Sequence, residues 1–504
     1  MTHLPILPFL IPFLAAGLLL LLTAAPLPAR RAVSVAATLA GLAAAVALLV
    51  QADQGQILVY RAGGWPPPFG IVLVADRVAA LMVTLLFTLA VPAVLIAIRG
   101  TDSRGLHFHA LFQLQLAGIA GAFLTGDLFN LFVFFEILLI ASYALLLHSG
   151  GLERVRTGLL YVALNLVGSS LFLVALGLLY GTLGTLNIAD IAWLLPMVPP
   201  TDVALVRVAL ALLALVFLLK GALVPMAFWL PHVYGAASVP VAALFAIMTK
   251  VGIVALLRVS ILALDGTPAG NALFQPWLPA FALLTIVLGV LFALSARRFA
   301  VIAGAMVLVS SGTLLFAVAD GGLFATAAIL YYLPHTTLVT AGLFLLAGAI
   351  AEARGAFEDR LVKAPAMPGA LPLGLAFAAL AVAVSGLPPL SGFLGKLMLM
   401  QGAGEGAWKA LWWTLLLVSG LFAALVLART ASVLFWEPQE KAEGKARLPI
   451  APLAILVAAS PALTLFAQPV AAYARAAATQ LHDRAGMIEA VLRDDEPLVR
   501  DRRP

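Results

Sequence analysis

Four ionisable side chains stand inside otherwise apolar runs of membrane length. They are Glu136 in LFNLFVFFEILLIASYALLL, Lys220 in VALALLALVFLLKGALVP, Lys250 in VAALFAIMTKVGIVALL and Lys396 in GLPPLSGFLGKLMLM. A charge at the centre of a transmembrane helix costs roughly 2.5 to 3.5 kcal/mol on insertion scales, so it is expected to face a partner or water. Four such positions point to one connected polar path for an ion. His335, in ATAAILYYLPHTTLVTAGLFLLAG directly after Pro334, adds an imidazole to that set. Its ring suits a proton relay between lysines, and equally a plain hydrogen bond between helices.

Glu136 lies nine residues beyond Asp127, roughly 13 Å along a helix, which places it near the membrane midplane. Lys220 is the proposed partner. A Glu–Lys pair whose separation can change is a two-state element for loading and releasing a proton, whereas a permanently tight pair would hold it. Lys250 sits about eleven residues into a span of about 24, too deep to snorkel easily, and suits a shuttle. Lys396 is the candidate terminal site, the plainer alternative being a lysine neutralised by one structural partner. Ser142, Thr249, Thr337 and Ser391 could line the route, although serine and threonine also serve as glue between membrane helices.

The elements that must carry these groups follow from composition. Of 504 residues 63% are hydrophobic and 10% charged, against about 25% charged in an ordinary soluble domain. The fold class is therefore an all-α polytopic membrane protein. Apolar runs predict about fourteen transmembrane helices, at roughly 4-25, 32-50, 72-98, 107-125, 127-148, 157-181, 204-224, 239-262, 275-295, 299-319, 323-349, 371-400, 409-436 and 449-470. They form one integral domain over 1-470, and 471-504 reads as an interfacial helix and C-terminal tail.

The seventh and twelfth helices contain internal breaks. Gly221, Pro225 and Pro231 follow Lys220, and Gly386, Pro388, Pro389 and Gly392 precede Lys396. Proline removes a backbone donor and leaves carbonyls that need other partners. Two breaks five helices apart, each beside a lysine, suggest two inverted five-helix repeats, helices 4-8 (about 107-262) and 9-13 (about 275-436).

Arginine and lysine follow the odd-numbered helices, at Arg30, Arg31, Arg99, Arg104, Arg154, Arg156, Arg297, Arg298, Arg354, Arg360, Lys363, Lys441, Lys445 and Arg447. Acidic residues follow the even-numbered ones, at Asp53, Asp127, Asp190, Asp265, Asp320 and Glu405, with Arg61, Arg207 and Lys409 as basic exceptions. The positive-inside rule makes the odd exits cytoplasmic and puts both termini outside. The net charge of +6 is thus topological and does not call for nucleic acid. The first apolar run lacks a basic n-region and reads as a spanning helix, not a cleaved signal.

The chain has no cysteine, which excludes disulfides, thiolate-held iron-sulfur clusters and covalent c-type haem. Apart from His335, the histidines, with His107 and His109 two apart at a helix start, read as surface or interfacial. No phosphate loop, nucleotide fingerprint or zinc spacing is present.

The segments DLFNLFVFFEILLIASYALLLHSGG, KGALVPMAFWLPHVYGAASVPVAALFAIMTKVGIVALLR and SGLPPLSGFLGK resemble the proton-conducting antiporter-like membrane proteins. That family is shared by the Mrp-type, or Pha-type, multisubunit cation/proton antiporters and the membrane arm of respiratory complex I. The runs FHALFQLQLAGIAGAFLTGDLFNLFVFFEILLIASYALLLHSGG and NLVGSSLFLVALGLLYGTLGTLNIADIA are similar to its D-type branch. The resemblance implies a secondary transporter subunit, not an enzyme, in a bacterial cell membrane. It also implies no cofactor, other membrane subunits as partners, and protons and a monovalent cation as cargo. It assigns the proton path to Glu136, Lys220, Lys250, His335 and Lys396.

Three alternatives stay open at this point. A proton-pumping subunit of a complex I-like oxidoreductase or membrane-bound hydrogenase would share these features. A scaffold that conducts nothing, or a stand-alone carrier for a small organic solute, would share fewer of them.

Overall fold

In the computed structural model, residues 3–264, 266–270, 273–274, 276–436 and 450–492 are described. The chain before the first break folds as α1 (Leu7–Leu21), α2 (Leu27–Asp53), α3 (Arg77–Ile96), α4 (Phe108–Leu124), α5 (Leu128–Leu147), α6 (Leu152–Leu183), α7 (Ile188–Leu194) and α8 (Val203–Lys220). After it come α9 (Leu230–Ala236), α10 (Val239–Val259), α11 (Leu278–Ser295), α12 (Phe299–Asp320), α13 (Leu323–Arg354) and α14 (Ala370–Ser385). Beyond the second break lie α15 (Ser391–Gly402), α16 (Lys409–Ala431), α17 (Ile450–Leu465), α18 (Ala467–His482) and α19 (Arg484–Leu492).

Among the described residues 11 helices are long and apolar enough to cross a membrane. Three expected spans are not among them, for separate reasons. The run 107-125 is the 17-residue α4. The run 371-400 is divided into α14 and α15, and 449-470 ends in a bend of 81° between α17 and α18.

Both expected breaks are present. α8 stops at Lys220, and Ala222 takes a positive φ of 53° before α9 begins. α14 stops at Ser385, where Gly386 turns the chain at φ 80°. Each break is pinned by a hydroxyl from another helix. The N–H of Val224 donates to Thr285 Oγ1 on α11 at 3.0 Å, and the N–H of Ser391 donates to Ser460 Oγ on α17 at 3.3 Å. Backbone groups freed by proline and glycine are thereby satisfied inside the protein, as an apolar surround requires.

Several sequence expectations need correction. Residues 72–75 are not helix: Val72–Ala75 pairs antiparallel with Leu58–Arg61, Leu58 opposite Ala75. Asp76 then starts α3 by accepting the N–H of Ala79 at 2.7 Å, the geometry of a helix N-cap. α6 runs 32 residues, longer than 157-181. α13, one helix through Pro334 as expected, also runs 32 residues, beyond 323-349. His109, expected at the surface, is 4% exposed and bonds Asp102 at 3.0 Å, because the Asp102 carboxylate, already chelated by Arg31, provides a buried partner. Asp265, Lys441, Lys445, Arg447 and the tail beyond Leu492 lie outside the described residues.

α10, α12 and α13 form the interior. The most apolar stretches of α10 and α12 are each 94% buried, so these helices are hydrophobic all round. Gly252 brings α10 against the end of α8: a Cβ there would lie 2.8 Å from the Gly221 nitrogen and the Phe217 oxygen. Only glycine allows that approach, and it holds Lys250 beside the first break. α18 is tied to α3, with Tyr473 Oη donating to the Arg77 carbonyl at 2.9 Å and Gln480 accepting the Arg77 N–H at 2.9 Å.

Candidate functional site

The structure gathers the candidate residues into three clusters. In the first, α5 presents Glu136, α6 presents Asn165 and Ser169, and α8 ends on Lys220. The Ser169 hydroxyl donates to Glu136 Oε1. Lys220 is buried, and its Nζ donates to Ser169 Oγ at 3.3 Å and to the Asn165 carbonyl at 3.4 Å. Its ammonium also stands 5.7 Å from the centre of the Phe135 ring, within range of a cation–π contact. Glu136 and Lys220 therefore meet through Ser169 and not by a direct ion pair.

In the second cluster the fully buried Lys250 donates to Ser310 Oγ on α12 at 2.8 Å, and Ser310 in turn donates to the Val307 carbonyl at 2.8 Å. Thr249 beside it, Ser311 on α12 and Thr337 on α13 carry buried hydroxyls without a protein partner. Ser142 is placed elsewhere, with its hydroxyl 2.8 Å from Tyr161 Oη and donating to the Leu139 carbonyl.

In the third cluster His335 Nδ1 on α13 lies 2.8 Å from Ser391 Oγ at the start of α15, and Ser391 Oγ lies 2.7 Å from Ser460 Oγ on α17. Gly392 makes room for the imidazole, since a Cβ there would come within 2.9 Å of its Cε1. Lys396, on the next turn of α15, donates to the Ser385 carbonyl at 2.8 Å. No hydrogen bond joins the three clusters to one another among the described residues.

Sequence reasoning missed Ser169, Asn165, Ser310 and Ser460. One signal was available: Tyr161, Asn165 and Ser169 recur every four residues, so α6 carries a polar stripe on one face. Ser310 lies in the cluster Ser310, Ser311 and Thr313 and Ser460 near Thr464, ordinary small hydroxyls of membrane helices that do not single out either residue.

Outside the spans, Asp127 caps α5 by accepting the Asn130 N–H at 2.9 Å. Burial pushes its carboxyl up to about 6, against the lowering effect of backbone N–H donors. Asp76 and Arg258 form a buried ion pair between α3 and α10. Among the described residues no three His, Cys, Asp or Glu side chains gather as a metal-ligand set.

A many-helix membrane protein with two interrupted helices, each break carrying protonatable groups, has the architecture of a secondary transporter subunit. Residues 125–425 match the family described as NADH:quinone oxidoreductase/Mrp antiporter, TM. The chain belongs to that family.

It is 41% identical, over 95% of this chain and 96% of the relative, to a Rhizobium meliloti (strain 1021) protein described as the D-type component of a probable K(+)/H(+) antiporter. It is 36% identical, over 98% of this chain and 100% of the relative, to the corresponding D-type component of the Na(+)/H(+) antiporter of Alkalihalophilus pseudofirmus (strain ATCC BAA-2126 / JCM 17055 / OF4). Among solved structures it resembles a chain of the Mrp complex from Dietzia sp. DQ12-45-1b, with TM-score 0.84, 28% identity, and 98% and 100% of the two chains covered. A chain of an archaeal membrane-bound sulfane sulfur reductase shares the fold at TM-score 0.90 and 24% identity, over 98% and 100% of the two chains.

Proposed function

We propose that this chain is the proton-translocating D-type component of a multisubunit monovalent cation/proton antiporter, working beside other membrane subunits in a bacterial cell membrane. The observation that carries this is the Glu136–Ser169–Lys220 bridge at the end of α8. A carboxylate and an ammonium held one hydroxyl apart can separate or close without crossing a packed core, as a gated pair requires. The naming of the 41% and 36% identical relatives as antiporter components supports it.

Protons pass through Glu136 and Lys220, then Lys250, then His335 and Lys396. Buried hydroxyls without protein partners at Thr249, Ser311 and Thr337 mark where water completes the route. Counting α4, the α14–α15 pair and α17 as spans gives fourteen, with two inverted five-helix units over about 107–262 and 275–436 and both termini outside. In this scheme α18 and α19 follow the membrane domain as an interfacial segment.

Glu136→Ala or Lys220→Ala should abolish ΔpH-dependent Na⁺/H⁺ or K⁺/H⁺ exchange in vesicles containing the assembled complex. Normal exchange with intact assembly would overturn the assignment. Co-purification with flavin and iron-sulfur subunits would instead select a redox-driven proton pump.

A further inference from the structure

We propose that Ser460, on the last membrane helix α17, is a relay residue of the proton path, so that the route from His335 leaves through Ser391 onto α17. The inference rests on the proposed proton-conducting function and extends it beyond the five carrier residues.

Three atoms on three different helices lie in hydrogen-bonded sequence: His335 Nδ1, Ser391 Oγ at 2.8 Å and Ser460 Oγ at 2.7 Å. Ser391 and Ser460 are 0% and 1% exposed, and His335 is 1% exposed. A hydroxyl is one donor and two acceptor sites, so it can accept a proton on one side and release its own on the other. Here the imidazolium gives its Nδ1 proton to Ser391 Oγ, the original Ser391 proton passes to Ser460 Oγ, and the original Ser460 proton passes to water. No charge stays on either serine, and the imidazole is left neutral.

The backbone enforces the alignment. The Ser391 N–H donates to Ser460 Oγ at 3.3 Å, which fixes that oxygen opposite the residue after the break. With this donor and the Ser391 hydroxyl both directed at it, Ser460 has its own proton free to point onward. If Ser460 donates to Ser391 instead, Ser391 must donate to Nδ1. The two orientations of the chain therefore correspond to the imidazole with and without its Nδ1 proton. One turn along α17, Thr464 donates to the Ser460 carbonyl at 3.0 Å and is partly exposed, and Leu465 is 82% exposed. α17 thus runs from the buried Ser460 to the protein surface within two turns, and the proton leaving Ser460 Oγ crosses that interval through water.

The test compares Ser460→Ala and Ser460→Thr with Lys220→Ala and His335→Ala, in vesicles with quantified assembly of the full complex. Exchange rates are read in H₂O and D₂O. Ser460→Ala should slow exchange about 100-fold, the lower range for loss of a positioned proton-transfer group, and Ser460→Thr should restore most of it. The solvent isotope effect should rise in the alanine variant, because proton transfer then limits the rate. Wild-type exchange and isotope effect in Ser460→Ala, with the lysine and histidine variants inactive, would overturn the relay and leave the antiporter function standing. Equal losses in the alanine and threonine variants with an unchanged isotope effect would reduce Ser460 to packing, which also overturns it. Normal exchange in Lys220→Ala and His335→Ala would instead defeat the proposed function itself. Should Ser460→Ala fail to assemble, Ser460→Gly replaces it, again with no side-chain proton: a reduced rate with a raised isotope effect supports the relay, and a wild-type rate and isotope effect overturn it.

Discussion

The ammonium of Lys396 reaches back eleven residues across a break and donates to the carbonyl of Ser385, the last residue of α14, at 2.8 Å. Lys220 is itself the last residue of α8. The Lys220 amine turns away to the Asn165 carbonyl and Ser169 hydroxyl of α6, so it is Lys396 that places its amine at the C-terminal end of an interrupted helix. That end carries unpaired carbonyls and the negative pole of the helix dipole, so it favours a cation. The break after α14 and Lys396 are therefore one device.

Replacing Lys396 by arginine separates the two properties of that amine. Arg keeps the charge at the helix end but does not release its proton in a protein. Lys396→Arg should assemble and yet exchange protons about 100-fold more slowly, the loss expected when a proton-transfer group stops working. Quantified complex in the membrane together with dye-reported ΔpH decay checks this, and a wild-type rate would remove Lys396 from the path.

The bridge at Ser169 is testable on its own. Ser169→Ala removes the hydroxyl that accepts from Lys220 and donates to Glu136. Exchange should fall by about tenfold or more, with assembly unchanged. Initial exchange rates at saturating cation are the measurement, and an unaltered rate would show that the two charges communicate without this serine.

What could be read from the sequence and what could not divides along chemical lines. Glu136, Lys220, Lys250 and Lys396 stand out because a charge in an apolar run is costly, and His335 because it stands beside a proline in such a run. Ser310 and Ser460 do not, because a hydroxyl in an apolar run costs little and usually serves as glue. The strand at Val72–Ala75 was absorbed into the following helix because Val-Leu-Val-Ala extends an apolar run without a break. Asp76, an N-cap residue, marked the true boundary. α10 gives no amphipathic period because every face of it is buried, so its length and not its pattern located it.

Asp127 should impose a pH dependence on stability. Its carboxyl titrates near 6 in the folded protein and near 3.9 when unfolded. Between those values the folded state binds the extra proton, so stability falls as pH rises from about 4 to 6, by up to about 3 kcal/mol. Asp127→Asn keeps a good capping residue and removes the titration. Thermal unfolding of the detergent-solubilised complex across that window should show a slope in the wild type that is absent in the variant.

Arg258→Met should be strongly destabilising. It leaves the Asp76 carboxylate, buried in the core, without its cation, a change that costs about 3–5 kcal/mol. Adding Asp76→Asn, which still caps α3, should recover much of the loss. The melting temperatures of the single and double variants decide this.

The absence of cysteine makes orientation directly measurable. Single cysteines at Arg104 and Arg156 should react with a membrane-impermeant maleimide only from the cytoplasmic side, and one at Arg61 only from the opposite side. The reverse pattern would invert the proposed topology.

The N–H of Val224, in the break beside Lys220, rests on the hydroxyl of Thr285 on α11, the helix that opens the second of the two proposed five-helix units. The break of the proposed first unit is thus held by a helix of the proposed second. A fragment ending before α11 would carry Glu136, Lys220 and Lys250 but lack the hydroxyl that holds the break beside Lys220. On the proposed repeat scheme, the two units are parts of one mechanism and not two pumps in tandem.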